Sequence, residues 1–148
     1  MKDFFFLVLG LIIVLGSFFL FFEQTLKKEN KIKIIKINDT SIEVEVVDTP
    51  ETREKGLSDR EALPESAGML FIFDSPTQYG FWMKDMKFSI DIIWIDDKFT
   101  IIGIEKEVSP NTFPQIFSPD KDIKYVLELP AGSSSKYNIE IGTVIQYK

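Results

Sequence analysis

The sequence predicts a mainly β fold, a β-rich α+β unit forming a small closed or nearly closed antiparallel barrel with two short helices, preceded by an N-terminal transmembrane helix. Three observations predict it. The first 22 residues contain a long uncharged apolar run. The rest of the chain alternates apolar and polar residues over many short segments rich in Ile and Val. Turn-forming residues separate those segments at close spacing, as in a sandwich or barrel.

The apolar run comes first. Phe4 to Phe22 is 19 residues without a charge, and 16 of them are Phe, Leu, Ile or Val. As a helix it rises about 28 Å, close to the hydrocarbon thickness of a bilayer. At about −0.4 kcal/mol for each apolar residue, insertion is favoured by several kcal/mol. A cleaved signal peptide is the competing reading, because Val14-Leu15-Gly16 has the form of a cleavage site. Cutting there would leave Phe18-Phe19-Leu20-Phe21-Phe22 as an exposed apolar stub, and no Cys follows to carry a lipid. Residues 1–28 are therefore read as an uncleaved membrane anchor and linker, and residues 29–148 as the β-rich domain.

Orientation rests on two opposed arguments. Lys27, Lys28, Lys31, Lys33 and Lys36 follow the run, and a literal positive-inside count keeps the domain in the cytoplasm. An apolar helix starting at residue 4 acts as an export signal, and long domains translocate largely regardless of charge. The expectation is a single-pass membrane protein with an extracytoplasmic domain at the cell envelope.

Within the domain, Lys31-Ile-Lys-Ile-Ile-Lys-Ile37 alternates as a strand, and Asn38-Asp39-Thr40 supplies a turn. Ile42, Val44 and Val46 mark a second strand. A turn centred on Asp39 would set Lys33 opposite Glu45, a cross-strand ion pair. Thr49 can cap a helix that starts at Pro50, has Glu51 in its first turn and stops at Gly56 in a left-handed conformation. Leu57 then enters the core. Gly68 to Phe73 reads as a buried strand, and Tyr79 to Lys84 as an extended aromatic stretch. Ser89 to Ile95 and Phe99 to Glu105 form a hairpin around Asp96-Asp97. Residues 109–122, with Pro110, Pro114 and Pro119, read as a long loop of the kind that is usually functional. Ile123 to Leu129 is a further strand, a capped turn of helix follows near Lys136, and Ile139 to Tyr147 is a last strand broken at Gly142.

Composition limits the chemistry. The chain has 17 Lys+Arg, 23 Asp+Glu, no His and no Cys. That excludes a Ser-His-Asp triad, a thiol nucleophile, His- or Cys-ligated zinc and a Cys-ligated iron–sulfur cluster. Removing Lys2, Lys27, Lys28, Asp3 and Glu23 leaves the domain with 14 basic and 21 acidic residues, a charge of −7. Nucleic-acid binders carry the opposite field, so no nucleic-acid partner is expected. No cofactor and no metal are expected either. Met69, Met83 and Met86 are soft enough for Cu(I), but methionines at strand positions usually fill the core.

Phe81-Trp82-Met83-Lys84-Asp85-Met86 is the most unusual string. Alternation sends Phe81 and Met83 to one face and Trp82 and Lys84 to the other. Asp91 and Glu128 each stand inside an apolar strand, where a charge must pair or reach water. Only two arginines, Arg53 and Arg60, are available as stiff cationic partners. Each carboxylate reads either as a clamp, by ion pair or by backbone amides, or as a general acid or base with a raised pKa.

The order of strings carries a resemblance. Asp48-Thr49-Pro50, Arg53-Glu54-Lys55-Gly56-Leu57, Leu63-Pro64 and Gly68-Met69-Leu70-Phe71 precede Phe81-Trp82-Met83-Lys84, Ile90-Asp91-Ile92-Ile93 and Val126-Leu127-Glu128-Leu129-Pro130-Ala131-Gly132. Over about residues 42–147 this resembles the bacterial and archaeal domain of unknown function 192 family. That family usually continues Trp-Met-Lys with Asn-Thr, where Asp85-Met86 stand here, and has Met where Ser58 stands. The resemblance implies a compact β-rich fold with short helices and, in many members, export or membrane attachment. It implies no established reaction.

Two functions of different class follow. The first is a non-catalytic, membrane-tethered binding or structural module of the envelope, with a small-molecule or glycan ligand near Trp82, Lys84, Arg53, Arg60 and Asp91, and no catalytic residue assigned. The second is a small carboxylate-dependent enzyme, a glycan-directed hydrolase or lyase using Asp91, Glu128 and Lys84. The first is favoured. A third reading, a scaffold that recruits a protein through the 109–122 loop, names no partner.

Overall fold

The computed structural model describes residues 31–147. The expected anchor, its cleavage and its orientation lie outside the described residues. Among the described residues no helix is long and apolar enough to cross a membrane.

The elements run β1 (Lys31–Ile37), β2 (Thr40–Val47), α1 (Pro50–Lys55), β3 (Ala67–Thr77), β4 (Ile90–Ile95), β5 (Ile101–Val108), a turn of 3-10 helix (Pro110–Thr112), β6 (Ile123–Pro130), α2 (Ser133–Lys136) and β7 (Ile145–Tyr147). The seven strands form one sheet in the order β5-β4-β6-β3-β2-β1-β7. The fold is mainly β, a curled half-barrel with two short helices. Its outer strands approach at one corner, where Thr100 bridges Val144 and the Ile101 amide donates to the Thr143 carbonyl at 2.9 Å. β7 is three residues long, so it pairs β1 only over Ile35–Ile37 and leaves little edge for full closure.

The expected all-antiparallel pairing is corrected at one place: β2 runs parallel to β3, with Val44 beside Gly68. Parallel neighbours need a crossover. α1 and the segment from Gly56 to Ser66 supply it. Helix α1 forms as its sequence dictates. The Thr49 side chain accepts from the Thr52 amide, the Thr52 hydroxyl accepts from the Thr49 amide, and Pro50 opens the first turn. Gly56 then turns the chain out with φ +47°, and Leu57 is buried.

The expected Lys33–Glu45 pair is also corrected. Asn38 takes φ +53°, which closes a two-residue turn and sets Lys33 opposite Val44. Glu45 is held by Arg60 instead. Tyr79 to Lys84 makes no strand; its one bridge joins Phe81 to Phe117. The last strand begins at Ile145 rather than Ile139, because the chain turns at Gly142, φ +93°, against the start of β5.

The two faces of the sheet carry separate cores. One gathers Ile35, Ile37, Val44, Leu70, Ile93, Leu127 and Leu129. The other gathers Met69, Phe71, Phe73, Ile92, Trp94 and Val126, together with Leu57 and Met83 from the segments that cover it. Burying a side chain of this size stabilises by about 1.5–3 kcal/mol.

Asp91 lies fully enclosed in β4 beside Leu129 of β6. Its Oδ1 accepts from the Glu107 amide at 2.8 Å and the Gly132 amide at 3.2 Å, and its Oδ2 accepts from the Ser134 amide at 2.7 Å. Among the described residues no cation pairs with it: the carboxylate is a backbone clamp joining β4, β5 and the turn that starts α2. We expect Asp91→Ala to destabilise the domain by about 3 kcal/mol or more, because one buried and two part-buried amides would lose their acceptor, at up to about 1–3 kcal/mol each. Asp91→Asn, which keeps one acceptor oxygen, should cost less. Urea denaturation checks both, and an unchanged midpoint for Asp91→Ala would show that the clamp carries no stability.

Candidate functional site

A pocket of about 230 Å³ opens on the face that carries Phe71 and Trp94. Four stretches distant in sequence line it: residues 53–58 at the end of α1, Phe71 and Phe73 of β3, residues 79–82 with Met86, and Glu128 of β6. Alternation explains the sheet's share. Met69 pairs Glu128 and Phe71 pairs Val126, so Phe71, Phe73 and Glu128 project to one face.

The walls are aromatic and braced. Phe73 and Tyr79 stack with ring centroids 3.6 Å apart, and the Tyr79 hydroxyl donates to the Ser75 carbonyl at 2.9 Å. Phe81 meets Phe71 and Trp94 edge-on at 4.9 and 5.4 Å. Two backbone hydrogen bonds of 2.8 Å hold Phe81 to Phe117, which makes the long loop a strap behind the pocket. Trp94 is itself buried and packs on Gly103, where a Cβ would stand 2.8 Å from its ring; it supports the wall and does not line it. Trp82 stands at the rim with 53% of its surface exposed, while Met83 beside it is buried.

Glu128 is 6% exposed, and none of the described residues donates a hydrogen bond or forms an ion pair with its carboxyl. Burial pushes its pKa up to about 8, against the opposing pull of the Arg60 guanidinium. Arg60 does not neutralise it, because both its outer nitrogens are spent on Glu45, at 2.9 and 2.6 Å. At neutral pH Glu128 is therefore mainly a carboxylic acid facing the pocket. It can donate its proton to an acceptor, or yield it to water and hold a cation.

Of the residues expected at a ligand site, Trp82 and Arg53 line this pocket. Arg53 is committed to the fold: Nη1 donates to the carbonyls of Asp48 and Ile72 at 2.9 and 2.8 Å, Nη2 lies 3.7 Å from Asp74, and the guanidinium sits 5.1 Å over the Phe73 ring. Arg60 reaches Glu128 only through its field. Lys84 lies on the other side of Trp82, in a shallow depression with Glu51, Glu54, Asp59 and Asp85. Asp91 is on the opposite face of the sheet, within the clamp. Glu128, a candidate acid or base by sequence, lies in this pocket, and Phe71, Phe73, Met86 and Ser58 join it without a local sequence signal of their own. Strand parity within β3 and β6 was the signal that could have joined Phe71, Phe73 and Glu128.

Residues 33–147 match the sequence profile of DUF192, described as "Uncharacterized ACR". The fold is similar to the crystal structure of a protein provisionally named a transcription regulator from Sinorhizobium meliloti 1021, with TM-score 0.76 and 26% identity over 80% of this chain and 95% of that one. It is also similar to a protein of unknown function from Novosphingobium aromaticivorans DSM 12444, with TM-score 0.76 and 21% identity over 81% of this chain and 88% of that one. No curated protein matches the chain.

The state of Glu128 is measurable through stability. Its carboxyl ionises near 4.5 in the unfolded chain and near 8 in the folded domain. A raised folded-state pKa contributes stability that is fully present below about pH 4.5 and is lost as pH rises to about 8. Glu128→Gln has no such titration. We expect the variant to gain on the wild type across that window, ending on the order of a few kcal/mol ahead at pH 8. Urea denaturation at a series of pH values checks this, and parallel curves for the two proteins would contradict it.

Proposed function

We propose that this chain, which belongs to the domain of unknown function 192 family, is a non-catalytic binding module held at the envelope membrane by residues 4–22, with the aromatic pocket over Glu128 as its small-molecule site. One observation carries the reading: a buried carboxyl to which no described residue donates lines an open pocket walled by five aromatic rings and by the 53–58 segment. Folding alone would favour an apolar residue there, since burial makes the ionised form of this carboxyl costly. A few polar groups in an otherwise apolar concavity is the usual form of a ligand site. At about 230 Å³ the cavity suits a ligand smaller than a drug molecule.

The enzyme reading is the weaker one. Paired-carboxylate glycoside hydrolysis needs two carboxyl groups about 5 to 9 Å apart across a cleft. Asp91 faces away from the pocket and is saturated by amides. Lys84 lies outside the lining. The domain charge of −7 is likewise unsuited to DNA, so the name carried by the Sinorhizobium protein is not transferred.

A fragment screen followed through the Trp82 indole N–H resonance tests the proposal. Small aromatic, glycan and amine fragments should perturb that signal, and Trp82→Ala should abolish their binding. Because Trp82 is half-exposed, the substitution should cost less than the about 3–5 kcal/mol usual for a core aromatic. The full chain should sediment with membranes. A screen without a hit, together with a Trp82→Ala variant that unfolds, would overturn the site; a full chain that stays in the soluble fraction would overturn the tether.

A further inference from the structure

The charges around Glu128 leave it a specific deficit. The elements packed against it are β3, β4, α1, the turn after α1 and the 79–86 segment. Its cross-strand neighbours Met69 and Ile92 are uncharged. Arg60 is paired with Glu45, and Arg53 with Asp74 and two carbonyls. Of the remaining lining groups, Glu54 and Lys55 are exposed and opposite in sign, and the Tyr79 hydroxyl is bonded to Ser75. Glu128 is thus a carboxyl, more than nine-tenths buried, to which no described cation is bonded. The rest of the lining is the rings of Phe71, Phe73, Tyr79, Phe81 and Trp82 with the Met86 thioether on one side, and the 53–58 segment, whose Arg53 and Lys55 are paired with Asp74 and Asp59, on the other.

We propose that the pocket takes a small organic cation, a substituted ammonium group seated among the rings with its charge against Glu128. This deepens the small-molecule reading of the same pocket and rests on it. Ring faces attract cations through their quadrupoles, most strongly where water is excluded. Phe73 already receives the Arg53 guanidinium in this way. A quaternary ammonium needs no hydrogen bonds, which suits the aromatic side of the pocket. An anion or a neutral acceptor would instead keep Glu128 in its acid form and take a hydrogen bond from it, so the affinity of either would fall as pH rises through the Glu128 pKa.

The cation converts Glu128 from acid to carboxylate, so binding releases a proton to water. Affinity should then rise about tenfold per pH unit below the Glu128 pKa and level off above it. Choline and its uncharged carbon isostere dimethylbutanol separate the possibilities, because choline does not titrate in this range. Each is titrated into the full-length chain in a non-ionic detergent, following the Trp82 indole N–H resonance from pH 6 to pH 9. The expected result is choline binding that strengthens with pH and levels off near pH 8. Dimethylbutanol should bind at least tenfold more weakly at pH 8. Glu128→Gln, kept folded as judged by its dispersed amide spectrum, should lose both the choline affinity and the pH slope. Equal binding of choline and dimethylbutanol, or choline binding unaffected by Glu128→Gln, would overturn the cation while leaving the small-molecule site in place. No choline binding at any pH would also overturn the cation; the fragment screen then decides separately whether the site itself stands.

Discussion

Three backbone amides converging on the Asp91 carboxylate tie together the part of the molecule on which the rest depends. They come from β5, from the turn after β6 and from the start of α2. The clamp fixes β4 between β5 and β6, and so fixes the register in which Asp91 lies beside Leu129 and Ile92 beside Glu128. A one-residue slip in that register would turn Glu128 to the other face. The position of the pocket-facing carboxyl is thus a consequence of the clamp.

The two buried carboxyls are opposite solutions to one problem. Each stands in an apolar strand, on neighbouring strands of one sheet. Asp91 gains three amide donors and becomes part of the architecture. Glu128 gains none from the described residues, is held as an acid by burial, and opens on the pocket. The first arrangement stabilises the fold; the second costs stability at neutral pH and leaves a group able to meet a ligand. Functional groups are commonly distinguished from structural ones by such a cost.

Local pattern made much of the fold legible. Ile and Val alternation marked β1 and β2, the Thr-Pro-Glu start marked α1, and the alternation of Phe81, Trp82, Met83 and Lys84 gave the right faces without a strand. What the sequence could not show was pairing that depends on distant chain. The parallel β2–β3 neighbours arise because α1 crosses over the sheet, and nothing in either strand encodes direction. The Lys33 register failed on the left-handed conformation of Asn38. The pocket was hidden for the same reason: α1, β3, the 79–86 segment and β6 meet only in the folded sheet. Glu128 and Asp91 looked equivalent as residues because their difference lies entirely in which amides reach them.

The functional reading turns on the state of Glu128, a buried carboxyl to which no described residue donates, held protonated in the pocket. Its most direct test is a carbon-detected titration of the Glu128 side-chain carboxyl by NMR, assigned by comparison with Glu128→Gln. A midpoint near 8 is expected. A midpoint in the ordinary glutamate range, near 4.3, would mean that water or a protein donor already satisfies the group, and Glu128 would then not be an acid at neutral pH.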